Sequence, residues 1–457
     1  MKPLTLINFQ LLRHICIIAI PIALQNVLVN CLNMMDTLML SRFGENPVAA
    51  VGLANQPFFI STMIIFGLSC GACVLTSQYY GVGNWEAIRK VLSIAMSMAL
   101  VVGISIFLLL FFFPQEVMGF YTDKPLLIEM GAQYLRIASF SYFFMTLSTT
   151  YLGIVVSIGA PQLPLKINVL ALVLNTTLNA ILIFGLLGFP ALEVRGAAIA
   201  TVIARMVEFA LVAYFLFGPR SLVRLRLSDL FHFDRPLFQD YIRYGMPVLC
   251  NEFLWGFGTS LYSVILGHTS EFVVTAYNFV LIVERMVNAY VLGIGRAAGV
   301  LVGMEMGRNN PKEAYRQARY MLVFAAIMGA LSLLIYLFLR ILVGLPITAE
   351  LLDFEPATMQ ALSAMMLVEV LIAIPRGVQT VCIIGVLRGG GDTFFATLAD
   401  TGPIYLGCLP LGFLGFKLGA PVFVLYLLLR SDDIIKLCLV LWRFRSRRWM
   451  RNVTRPG

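Results

Sequence analysis

Apolar residues gather in long unbroken runs along this chain, and polar residues fall mostly between the runs. A run of about 20 apolar residues, wound as an α-helix, crosses a hydrocarbon layer of about 30 Å. Twelve such spans are predicted, near residues 14–41, 47–77, 89–113, 130–156, 167–188 and 196–218, then 243–267, 272–303, 318–344, 360–387, 394–416 and 419–441. Several breaks are glycine or proline punctuation: Gly81-Val82-Gly83-Asn84, Gly159-Ala160-Pro161 and Gly389-Gly390-Gly391-Asp392. The longest polar segment separates spans six and seven. The pattern therefore predicts a six-helix lobe over 1–218, a cytoplasmic linker over 219–242, a second six-helix lobe over 243–441 and a basic cytoplasmic tail over 442–457.

Composition agrees. Of 457 residues, 60% are hydrophobic and 12% charged, half the roughly 25% charge of a soluble domain. That excludes a water-soluble enzyme and leaves an all-α, multi-pass integral membrane protein with no sizeable soluble domain. The first run is too long for a signal-peptide h-region, and no A-x-A site follows it. Cys70 and Cys73 have the spacing of a redox pair but sit inside an apolar run, where cysteine packs as a small hydrophobe.

The net charge of +9 is distributed by membrane face. Arg89, Lys90, Lys166, Arg220, Arg224, Arg226, Arg308, Arg388, Lys436, Arg443 and the tail arginines, Arg451 among them, fall on one side. Only Arg42, Lys124, Arg195, Arg340 and Lys417 fall on the other. The positive-inside rule then places both termini in the cytoplasm, with the chain in the cell (inner) membrane. Beside a final helix, the basic tail reads as a topology signal touching anionic lipid, not as a nucleic-acid surface.

A repeat appears at an offset of 226. Pro21 maps onto Pro247, Gln25-Asn26 onto Asn251-Glu252, Ala50 onto Ala276 and Gly81 onto Gly307. The offset later drifts to 231, where Gly159 meets Gly390. An even number of spans separates the copies, so the halves run parallel, which implies a pseudo-twofold axis along the membrane normal and a site between or within the lobes.

Polar groups inside spans are expensive and therefore informative. Asp36 is the sole acid of span one, while Asn175 and Asn179 lie four apart on one face of span five. An acid facing two amides suits a proton or a hard cation such as Na⁺; the structural alternative has Asp36 reaching the outer interface near Arg42. Glu252 in span seven is a second candidate acid. Asn251, Trp255, Gly258 and Tyr262 share one helical face, either lining a cavity or packing against a neighbouring helix through Gly256 and Gly258. Arg376 has Glu369 or Glu252 as candidate partners, and Arg205 and Glu208 read as a local pair. Pro21 and Pro247 remove backbone hydrogen bonds at matching places, making Pro21, Gln25 and Asn26 hinge or cavity candidates. No catalytic motif, metal cluster or nucleotide loop appears, so neither enzymatic activity nor a cofactor is expected, and energy must come from an ion gradient. A membrane-embedded acyltransferase would need a His/Asp or metal constellation that cannot be assembled.

The order and spacing of several stretches resemble the multidrug and toxic compound extrusion (MATE) transporters across nearly the whole chain. They are Ile20-Pro21, Asp36-Thr37-Leu38-Met39-Leu40, Ala49-Ala50-Val51-Gly52, Gln78-Tyr79-Tyr80-Gly81-Val82-Gly83-Asn84, Lys166-Ile167-Asn168 leading to Asn175 and Asn179, Gly196-Ala197-Ala198-Ile199-Ala200-Thr201, and Leu387-Arg388-Gly389-Gly390-Gly391-Asp392-Thr393. The resemblance implies two six-helix lobes around a central cavity, and a monomer that exports organic, often cationic compounds in exchange for H⁺ or Na⁺. Asp36 falls on the family's helix-one carboxylate and Asn175 on its helix-five asparagine. Asn179 stands where some members carry an aspartate, and Glu252 lies near a helix-seven glutamate. Arg376 lies near the place of a helix-ten aspartate found in one branch. The rival within the superfamily is a lipid or oligosaccharide-lipid flippase, whose anionic substrate would need Arg136, Arg205, Arg285, Arg296 and Arg376 unneutralised in the cavity.

Overall fold

Backbone groups in a bilayer find no water, so spanning segments must close their own hydrogen bonds, and a helix does this within one segment. The computed structural model describes residues 17, 19–25, 39, 45–219, 221–231, 233–345 and 354–455; Asn26 and Asp36 lie outside them. Among the described residues there is no strand. The helices are α1 (Glu45–Val82), α2 (Trp85–Phe112), the short α3 (Pro114–Gly119), α4 (Pro125–Ser157), α5 (Gln162–Phe184) and α6 (Glu193–Phe217). They continue as α7 (Arg235–Gly267), α8 (Glu271–Gly307), α9 (Pro311–Val343), α10 (Pro356–Thr380), α11 (Thr393–Pro403), α12 (Leu409–Lys417), α13 (Val422–Arg430) and α14 (Asp432–Ser446).

Each expected span from the second to the twelfth thus has a helical counterpart, and residues 19–25 of the first are helical. Eight of the described helices are long and apolar enough to cross a membrane. Span eleven is α11 and α12 joined through a π-helical turn, Ile404–Cys408, directly after Pro403. Span twelve is α13 and α14, broken at Ser431. α10 runs on past Pro375 into a π-helical stretch, Val381–Leu387. The surface is inside out relative to a soluble protein: Leu406 is 87% exposed, and Phe112, Ile327, Leu334 and Phe338 face outward as well, as lipid contact requires.

Two compact units divide the chain, Leu24–Leu249 and Cys250–Gly457 together with Met1–Ala23. The N-terminal unit packs around Ile65, Leu135 and Tyr142. The C-terminal unit packs around Tyr262, Val280, Tyr336, Leu362 and Leu429. The seams after Ala23 and after Leu249 are related by the same 226-residue offset as Pro21 and Pro247. Matching glycines explain the arrangement. A Cβ at Gly67 of α1 would lie 2.7 Å from the Leu249 Cα, and one at Gly293 of α8 would lie 2.8 Å from the Ala23 nitrogen. Both pairs obey the offset, and in both a bare glycine lets two backbones touch.

The loops repeat as closely. Gly83 and Asn309 both take positive φ, and the next residue of each, Asn84 and Asn310, caps the following helix by accepting from the Ala87 and Glu313 amides. Later in the halves, Gly159 and Gly391 are the left-handed pair, at φ +82° and +81°. The sequence match of Gly159 with Gly390 is therefore one residue out. Three consecutive glycines left the register open, and the backbone conformation fixes it.

The basic tail is not a bare charged strip. Trp449 is 0% exposed and fills the space over Gly390, where a Cβ would come within 2.3 Å of its ring. The Arg451 amide donates to the Gly390 carbonyl at 2.8 Å, while Asp392 pairs with Arg443 at 2.7 Å and Arg451 at 3.1 Å. Tyr315, Phe444 and Trp449 stack in sequence.

Candidate functional site

Helical spacing brings Asn175 and Asn179 to one buried face of α5. The Asn179 amide donates to Asn175 Oδ1 at 3.1 Å, and the Asn175 amide donates to Thr201 Oγ1 of α6 at 3.4 Å. Thr201 in turn donates to the Ala197 carbonyl at 3.0 Å. The chain is uncharged and carries acceptor oxygens on two amides. Gln25 is also buried, with no hydrogen-bond partner for its Nε2. Pro21 sits half-buried in the helical stretch 19–25. Arg205 is neutralised by Glu208 at 2.6 Å, the local pair expected from their spacing.

The C-terminal unit is built differently. Arg376, on α10 directly after Pro375, is buried and meets Glu369 at 2.6 Å, Asp433 at 2.9 Å and Glu284 at 3.2 Å. Arg430, at the end of α13, pairs with Glu284 and lies 3.5 Å from Glu369. The Tyr426 hydroxyl donates to Glu369 at 2.7 Å, and the Gln379 amide donates to Asp433 at 2.9 Å. Arg376 thus has Glu369, the first of its two expected partners, plus two acids from α8 and α14. Glu252 is taken by Arg388 at 2.8 Å.

Beside this network, Lys436 lies between Asp400 of α11 and Asp432 of α14, at 2.8 and 2.9 Å. The Asn251 amide completes the row by donating to Asp400 Oδ2 at 2.9 Å. The break at Ser431 explains the geometry, because it starts α14 afresh with Asp432 and Asp433 in its first turn, where the helix dipole favours negative charge.

Along α7, Gly258 packs against Ile404 and Tyr405 and Tyr262 is buried, whereas Trp255 is 37% exposed. Gly258 and Tyr262 thus both pack against neighbouring side chains of the same unit. Lys436, Arg388 and Arg443, assigned from sequence to the cytoplasmic charge belt, are buried in ion pairs. Each of the three has a carboxylate partner remote in sequence, Asp400, Glu252 and Asp392 respectively. Asp400, Asp432 and Asp433 belong to no sequence motif; the i,i+4 spacing of Asp432 and Lys436 is the one local signal that points to this row. Among the described residues, no group of three or more His, Cys, Asp or Glu could hold a metal ion.

Comparison with known proteins follows the same outline. The MatE family profile matches residues 21–181 and 247–401, one stretch in each half. The uncharacterized transporter YisQ of Bacillus subtilis is 24% identical over 426 residues, covering 91% of this chain and 90% of its own. A probable multidrug resistance protein NorM of Bradyrhizobium diazoefficiens is 28% identical, covering 78% and 76%. Among solved structures, the Vibrio cholerae MATE transporter VcmN superposes with a TM-score of 0.85 at 19% identity, covering 96% of this chain and 97% of its own. A MOP superfamily transporter from Pyrococcus furiosus, described as having a binding pocket of reversed polarity, superposes with a TM-score of 0.83 at 19% identity, covering 96% of each chain.

Proposed function

We propose, for a chain that belongs to the MatE family and is a multi-pass membrane transporter of small organic compounds, that it is a secondary antiporter exporting amphipathic cations in exchange for H⁺ or Na⁺. One observation carries the preference for cations: two of the five interior arginines that an anionic substrate would need are already neutralised. Arg205 and Arg376 face carboxylates, and Arg136 lies over the Phe111 ring. The comparisons likewise favour drug export over the lipid-flippase reading.

In the proposed cycle, Asp36 binds the coupling ion and Asn175 and Asn179 supply neutral oxygens to it. Occupancy must stabilise one access state more than the other, since a ligand with equal affinity for both shifts nothing. Pro21 lets the first helix bend as the site fills. Glu252, paired with Arg388, contributes a second acid or a substrate contact from the C-terminal half. The protein works as a monomer in the inner membrane, with both termini cytoplasmic and no nucleic-acid partner. The test is efflux of ethidium from proteoliposomes under separately imposed H⁺ and Na⁺ gradients. Wild type should respond to one gradient, and Asp36→Asn should abolish the response. Unaltered gradient-driven efflux by that variant would sink the Asp36 assignment.

A further inference from the structure

The row Asn251–Asp400–Lys436–Asp432 is one proton short. Asp400 and Asp432 share a single ammonium group, so with every group ionised the row carries a net negative charge inside an apolar unit. Its hydrogen bonding has the same deficit. Asp432 Oδ2 is 2.9 Å from Lys436 Nζ, but Asp432 Oδ1 has no partner, nor has Asn251 Oδ1. Both side chains are buried, at 5% and 1% exposure, and Lys436 at 1%. A buried acceptor without a donor is destabilising, and more so when charged. Two such acceptors in one row therefore mark the place of a missing donor.

We propose that Asp432 is a reversible proton-binding site of the C-terminal unit, with Asp400 and Lys436 as its positioning partners. A proton on Oδ1 converts the orphan acceptor into a hydroxyl donor and brings the row to neutrality, while Oδ2 keeps its contact with the ammonium. Lys436 already occupies the position between the two carboxylates that a metal ion would need, which favours a proton over Na⁺.

The surrounding charges leave this assignment to Asp432. Asp433, the adjacent acid on α14, is held by Arg376 and Gln379. Glu284 and Glu369 share Arg376 and Arg430. On α7, Glu252 is paired with Arg388, and the buried Tyr262 hydroxyl has no hydrogen-bond partner. From the turn between α11 and α12, the Cys408 thiol lies 3.2 Å from the Ser431 hydroxyl. Asp432 is the acid in this group with an oxygen left over.

The role of the proton in transport rests on the antiport reading, whereas its binding does not, and two measurements separate them. Infrared difference titration of the full chain in lipid nanodiscs should show a carboxylic-acid carbonyl band that grows as pH falls. The band should be lost in Asp432→Asn and retained, shifted, in Asp432→Glu; a band unchanged in Asp432→Asn overturns the proposal. Lys436→Gln serves as the second variant if Asp432→Asn does not fold. Removing the ammonium favours the protonated acid, so the titration midpoint must rise, and an unmoved midpoint overturns the proposal equally. In proteoliposomes, Asp432→Asn should lose efflux of ethidium driven by a pH gradient while binding ethidium as wild type does, and retained pH-driven efflux overturns the coupling role. If wild type itself answers to neither gradient, the antiport reading fails while the infrared band still decides the proton site.

Discussion

Asn175 and Asn179 in one unit, and Glu369 and Arg376 in the other, answer the same problem in opposite ways. All four are polar side chains on apolar helices of a twice-repeated plan. In the N-terminal unit the two asparagines are joined to each other and to a threonine by hydrogen bonds between uncharged groups. The C-terminal unit uses charge, with Glu284, Glu369 and Asp433 around Arg376 and Arg430. The glycine contacts and the asparagine caps kept the 226-residue correspondence while these interiors diverged. Backbone geometry and interior electrostatics are therefore separable properties of this fold: the first is set by glycine and cap positions, the second by a few polar substitutions.

That contrast is most easily broken at Arg376. Arg376→Met leaves three carboxylates with one guanidinium and should destabilise the protein by about 3–5 kcal/mol, because an unpaired buried charge is worse than none. Thermal unfolding in detergent reads the loss, and adding Glu369→Gln should recover part of it. Trp449→Ala tests whether the tail belongs to the C-terminal unit's core. Loss of a fully buried indole should cost about 3 kcal/mol and expose the segment after Ser446 to protease; an unchanged cleavage pattern would detach the tail from the core. Gly67→Val and Gly293→Val address the shared backbone. Each forces two touching backbones apart, at about 1–3 kcal/mol, and unequal losses would show that the two contacts are not equivalent. Smallest is Thr201→Val, which removes the hydroxyl that the Asn175 amide donates to, at about 1 kcal/mol. If it proved as damaging as Arg376→Met, the contrast between the amide chain and the charged network would fail.

The helices were legible because apolar runs of membrane length have few other fates. Repeat and caps were legible in part: Gly81 and Gly307 aligned correctly, while Gly389-Gly390-Gly391 hid the register by one residue. The charged interior was much less so. Arg376 finds Glu369 two turns away on its own helix, but Glu284 and Asp433 lie far along the chain on other helices, and no local pattern joins them. Lys436 was counted with the cytoplasmic charges because hydropathy windows cannot see that a lysine has two aspartates waiting. Nor does sequence announce that Ser431 interrupts span twelve, the break that turns Asp432 and Asp433 into a helix N-terminus. Distant pairing, not local propensity, was the missing information.

The seams after Ala23 and Leu249 also carry a consequence for biosynthesis. The N-terminal unit has all its parts once the chain has been made as far as Leu249. The C-terminal unit cannot be made from the second half alone, since it also needs the segment ending at Ala23, synthesised long before. Membrane insertion in chain order cannot then be the same as folding in chain order. The helix around Pro21 must wait, unpaired with Gly293, through the synthesis of an entire half, and separately produced halves cut between α6 and α7 would each lack a piece that the other carries.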